Sequence, residues 1–143
     1  MTVQDIKKCF RSYMDGVSAA SMREKGLHYR VIWGISIIHL KEIAEELKKQ
    51  NAAGSLSSLA QQLWEEDCRE CKILATLIMP YNEMTDNIAH KWLDTLTTQE
   101  MSEWLAFNLL RHLPYAKDLA LNAVNSDNAL QKKCGQNILN RIG

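Results

Sequence analysis

Pro80 and Pro114 are the only prolines in 143 residues, and they separate long stretches whose apolar residues recur at helical spacing. Proline and glycine are the strongest breakers of regular structure, and six glycines add few further interruptions. A chain so poor in breakers has little scope for the frequent turns of a sheet protein. The pattern predicts an all-α fold.

Helix ends can be placed from cap residues and turn clusters. Residues 2–15 and 17–26 read as two short amphipathic helices parted at Asp15-Gly16. "VIWGISII" is β-branched enough for a strand, but Gly34 reads better as a break before a helix capped by Ser36 and running to about Gln50. After the turn cluster "NAAGSLSS", Ser55 or Ser57 caps a helix carrying Leu59, Leu63 and Trp64. Asp67 with Glu70, and Thr97 with Glu100, have the spacing of capping boxes for the helices that follow. The first of these runs to Pro80, and between the two Thr85 opens a helix that ends near Leu96. Pro114 stops the helix of Thr97 and suits the first turn of the next, and Asn125-Ser126 marks the boundary before a last helix to about Ile142. About nine helices with short loops favour antiparallel neighbours. Their helix–turn–helix rhythm, about 30–40 residues, is that of a HEAT-like helical repeat, an α-α superhelix. The expectation is one such domain over residues 1–143, with a compact bundle as the alternative.

The chain is long enough to bury a core. Its first ten residues lack the apolar core of a signal peptide, and no apolar run approaches the ~18 residues of a membrane span. Cys9, Cys68, Cys71 and Cys134 make no disulfide framework at this size, so reduced thiols in a cytoplasmic protein are expected. Net charge is zero but unevenly spread: +3 over residues 1–50, −6 over 51–103 and +3 over 104–143. Duplex-DNA binding usually shows a clear basic excess, because phosphate neutralisation supplies most non-specific affinity. Charge alone therefore does not point to nucleic acid, although a local basic face is compatible with it.

The chemical motifs are sparse. "CREC", Cys68 to Cys71, places a thiol at a helix start, where the dipole would lower its pKa. A redox role would want a βαβ context and a zinc site a second ligand pair, so two small residues packed between helices is the favoured reading. His28, His39, His90 and His112 lack ligand spacing, serines sit at caps and turns, and phosphate loops are missing. No metal and no cofactor is expected.

Four tryptophans, Trp33, Trp64, Trp92 and Trp104, could anchor the core or line a surface that stacks on something planar. Trp104 differs from the rest because Asn108 lies four residues on, on the same helical face. An amide buried without partners costs roughly 1–3 kcal/mol. Either something satisfies Asn108 or that face is partly open.

Three stretches, in order and at the right spacing, resemble the DNA alkylation repair glycosylases of the AlkD-like family. "WGISIIHLKEIAEEL" is similar to the family's Gly-Val-Arg-Val-Pro-x-Leu-Arg segment, with Ser36 for its arginine and Ile38 for its proline. "LAQQLWEEDCRECKILATLI" is the closest match, through Leu59, Ala60, Leu63, Trp64, Glu65, Arg69, Glu70, Leu74 and Ala75. "WLAFN", residues 104–108, stands against Trp-Asp-Leu-Val-Asp. The resemblance covers about residues 25–143 and implies a HEAT-like solenoid whose concave face holds duplex DNA bearing cationic alkylated purines. An aromatic group and a carboxylate would stabilise the oxocarbenium character that develops as the glycosidic bond breaks.

Carried over by this resemblance, Trp104 takes the place of the catalytic tryptophan and Asn108 that of the catalytic aspartate. Asparagine can hydrogen-bond a water, but it carries no charge and is no base. Losing one electrostatic group costs about 3 kcal/mol of transition-state stabilisation, a hundredfold or more in rate. Leu105 and Ser36 remove further polar groups, so the expectation is weak or no glycosylase activity. Lys41, Lys48, Lys132 and Lys133 are the candidate DNA contacts. The alternative is a non-catalytic helical scaffold that binds protein or associates with itself.

Overall fold

The computed structural model describes residues 2–142, which form nine α-helices and two 3-10 turns among them. They fall into two compact units, Met1–Met79 and Pro80–Gly143.

The first unit holds α1 (Val3–Phe10), α2 (Gly16–Glu24), α3 (Ile37–Gln50), α4 (Ala53–Trp64) and α5 (Arg69–Ile78). Thr2 and Asp5 make a reciprocal capping box at the start of α1. Gly16 is the first residue of α2 rather than the break, because the Asp15 side chain accepts from the Val17 and Ser18 N–H groups. Ser36 caps α3 as expected, its hydroxyl accepting from the His39 N–H. Leu40, Ile43, Ala44 and Leu47 are the buried stripe of α3.

Two expectations for this unit are overturned. Neither Ser55 nor Ser57 caps α4, which starts earlier at Ala53 without a side-chain cap; Ser57 is buried and accepts from Gln61 Nε2. Nor do Asp67 and Glu70 form a capping box, since α5 begins at Arg69 with Cys68 as its cap. Glu70 is used elsewhere. Its Oε1 accepts from the Trp33 N–H at 2.8 Å, and its Oε2 accepts from Gly34 at 3.1 Å and Ile35 at 3.4 Å. Arg69 Nη1 donates to the same Oε2 at 2.9 Å and to the Ile35 carbonyl at 3.3 Å. Both side chains are buried, Arg69 at 4% exposure and Glu70 at 0%.

"VIWGISII" is thereby resolved into an extended segment followed by α3. Val31 bridges in parallel to Cys68, with the Val31 N–H donating to Asp67 O and the Arg69 N–H to Val31 O. Gly34 has φ +78°, and a Cβ there would lie 2.1 Å from Asp15 O. The glycine is required by both backbone shape and close approach. Across the unit, Trp64 is fully buried and Lys72 ends α4, its Nζ donating to Trp64 O and lying 4.8 Å from the indole centroid.

The second unit holds α6 (Asp86–Asp94), α7 (Gln99–Asn108), α8 (Ala116–Val124) and α9 (Ala129–Ile142), with 3-10 turns at Tyr81–Glu83 and Leu110–His112. Thr85 caps α6 as expected. The Thr97–Glu100 box is displaced by one residue: Thr98 caps α7, its hydroxyl accepting from the Met101 N–H, and Glu100 therefore falls at the second helical position. The α7 helix also stops before Pro114, giving way after Asn108 to the 3-10 turn, and α8 starts two residues beyond the proline. The boundary expected at Asn125-Ser126 is where α8 ends, with Asn125 as its C-cap, and Asn128 then caps α9 by accepting from the Leu130 and Gln131 N–H groups. Gly135 of α9 has no room for a Cβ, with Ala120 O 2.7 Å from where it would be, so small size lets α9 close on α8.

Replacing Glu70 by Gln should destabilise the protein by about 3–5 kcal/mol, because it strands the buried Arg69 charge. Urea unfolding would show this as a lower midpoint at unchanged slope. An unchanged midpoint would mean that Glu70 does not organise residues 33–35.

Candidate functional site

Trp104 and Asn108 both lie on α7 and both are half-buried, so this face of the helix is neither closed core nor fully open. Asn108 is also not without a partner. Around them the core is built from Met101, Leu105, Ala106, Leu109 and Leu110, all buried. Leu105, which stands where the resemblance has an aspartate, is therefore a core residue. Ser36, where it has an arginine, is a helix cap.

The tryptophans divide as core and surface. Trp64 and Trp92 are 1% exposed and serve as core anchors. Trp33 is half-buried, meets Phe10 edge-on at 6.0 Å, and has a buried Nε1 with no acceptor among the described residues.

Beside Asn108, the sequence reading missed a cluster of cations. Phe107 is half-buried, with the Arg111 guanidinium 4.4 Å and the Arg141 guanidinium 4.6 Å from its ring centroid. Arg111 Nε also donates to Phe107 O at 2.6 Å, satisfying a carbonyl at the end of α7. A cation over an aromatic face is worth ~0.5–1 kcal/mol at exposed sites, and a cation at a helix C-terminus gains ~0.3–1 kcal/mol more. The signal in sequence was faint: Arg111 is four residues after Phe107, but Arg141 reaches the ring only through the packing of α9 on α7.

The candidate lysines are all exposed. Lys41 and Lys48 are seven residues apart on α3, with Glu45 between them; Lys48 Nζ is 3.7 Å from Glu45. Lys41 borders a groove of about 700 Å³ that is rimmed by Asp5, Glu42, Glu45 and Glu46 over Ile6, Ile43 and Leu47. Lys132 and Lys133 are adjacent on α9 and so point about 100° apart.

Cys68 and Cys71 are buried and free, as packing residues would be. The thiols share a hydrogen bond that, with burial, pushes Cys71 up. Burial also pushes Cys134 up to about 12. Among the described residues, no group of three or more His, Cys, Asp or Glu could hold a metal ion, and no helix is long and apolar enough to cross a membrane.

The model of the family described as "DNA alkylation repair enzyme" matches residues 6–139. A solved structure, described as a new family of proteins related to the HEAT-like repeat DNA glycosylases with affinity for branched DNA structures, superposes with a TM-score of 0.86 at 17% identity. That match covers 99% of this chain and 57% of the other, so the chain spans little more than half of its structural neighbour. No curated protein matches. The fold is thus the HEAT-like helical repeat. The chain belongs to the DNA alkylation repair family.

Native thiol labelling should modify Cys9 fast and leave the other three cysteines slow, since Cys9 alone among them is exposed. Two fast thiols per chain, counted by mass, would mean that the Cys68–Cys71 pair is accessible.

Proposed function

We propose that the chain is a DNA-binding member of this family with weak or no glycosylase activity. The observation that carries the reading is the half-open face of α7, where Trp104 is retained and a neutral amide, Asn108, stands in the place that the resemblance gives to a carboxylate. An aromatic face can still contact a deoxyribose or base. Without an anion, the oxocarbenium character of the transition state loses its main electrostatic support.

The family match and the HEAT-like fold support DNA as the ligand, and the structural neighbour's affinity for branched DNA adds junctions to duplexes as probes. Alkylated purines in duplex DNA are the proposed lesion class. Of the candidate contacts, Lys132 and Lys133 on α9 fit DNA better than Lys41 and Lys48, which share their surface with carboxylates. Four free thiols fit a cytoplasmic setting.

A second reading, a scaffold for protein partners, is favoured by the groove beside α3. Its apolar floor and acidic rim suit a basic amphipathic segment.

Release of a 7-alkylated purine from duplex DNA separates the readings of the site. Wild type should release little or none, and Asn108→Asp should gain a hundredfold or more. Rapid release by wild type that Trp104→Ala leaves unchanged would remove the assigned site.

A further inference from the structure

The arginine pair on Phe107 is a concentration of positive charge at the end of α7. Each guanidinium lies within 4.6 Å of one ring centroid, so the two charges are at most about 9 Å apart. Neither arginine makes an ion pair among the described residues. Arg111 uses Nε on the Phe107 carbonyl, which leaves its two terminal nitrogens for a ligand.

The helix that brings Arg141 carries more of the same chemistry. Lys133, Asn137 and Arg141 stand at i, i+4 and i+8 along α9, within one side of the helix. Asn137 is half-buried between the two cations along this side, its Nδ2 turned inward and without an acceptor among the described residues. Lys133 and Arg141 are separated by about 12 Å of helix rise. That length matches a few nucleotides of one strand, at 3.4 Å of axis per phosphate.

Orientation matters as much as charge. A guanidinium laid on an aromatic ring keeps its edge free and has lost much of its rotamer freedom, so it meets a phosphate with two parallel N–H donors at low ordering cost. Isolated lysines on exposed helix faces provide only mobile point charges.

We propose that Arg111 and Arg141, held on Phe107 and extended by Lys133, form a site for the sugar–phosphate backbone of DNA. The site lies beside Asn108, so a strand bound there passes the half-open face of α7. This assignment rests on the DNA-binding reading and adds to it the residues that grip the strand.

The test is the salt dependence of binding. Wild type, Arg141→Gln, and the double variant Arg111→Gln/Arg141→Gln would be titrated with a duplex and with a four-way junction. Each titration would be made at several salt concentrations between roughly 50 and 200 mM. Each lost phosphate contact lowers the slope of log K against log salt by about 0.9. The single variant should lose about one such step and the double variant about two, with affinity at low salt reduced about tenfold or more. Thermal melts report whether each variant is folded. Arg141 is exposed in the last turn of α9, so the single variant carries the test even where the double variant does not fold. A lysine pair, Arg111→Lys/Arg141→Lys, should restore the slope but not the full affinity. Wild-type slope and affinity in the folded single variant would overturn the site while leaving DNA binding in place. No binding by wild type to either DNA at low salt would overturn the DNA-binding reading and the site together.

Discussion

One carboxylate organises the first unit. Glu70 gathers three consecutive backbone N–H groups, those of Trp33, Gly34 and Ile35, and shares Oε2 with Arg69. An extended segment that turns inward has donors with no helical or sheet partner, and leaving them unmet would cost more than most single contacts return. Burying a charge is also unfavourable unless it is paired and hydrogen-bonded, and here both conditions hold. Arg69 completes the arrangement by donating to the Ile35 carbonyl. Gly34 then reaches against Asp15 O, where a side chain cannot fit, so α2, the extended segment and the start of α5 are fixed by one polar knot.

The second unit solves a different problem. Its candidate site is placed by apolar packing, with Leu105, Ala106, Leu109 and Leu110 burying one side of α7 and its following turn. What remains at the surface is a band of aromatic and polar groups: Trp104, Phe107, Asn108 and the two arginines. The resemblance assigns this place to an anion that opposes developing positive charge. The chain has a neutral amide at Asn108 and two guanidinium groups on the neighbouring Phe107 ring; on the proposed reading such a surface holds phosphates rather than stabilising an oxocarbenium ion.

Much of the fold was legible in the residue pattern, because helix number and order follow from apolar spacing and scarce breakers. Ser36 and Thr85 cap as their local sequences imply. The misplaced caps have different causes: α4 starts without a side-chain cap, and the other two depend on contacts or single-residue offsets that spacing does not show. Glu70 was drawn away from α5's own N-terminus by the backbone at residues 33–35, which lies far off in sequence. Thr98 displaced Thr97 by a single residue, which local spacing does not resolve. Asn108 and Trp104 could be paired in advance because i, i+4 neighbours share a helix face. Arg141 could not, since its partner ring lies 34 positions earlier and only the packing of α9 on α7 joins them.

The central claim is that DNA is held on the α7–α9 surface of the second unit and that this surface lacks the charge for excision. Its most direct measurement is an NMR titration of isotopically labelled protein with a short duplex, following backbone amides, the Trp104 indole N–H and the arginine Nε–H groups. Shifts concentrated at Trp104, residues 107–111, Lys133 and Arg141, with the duplex recovered intact, are the expected result. Shifts confined to the groove beside α3, or a duplex recovered with its alkylated purine released, would contradict the account.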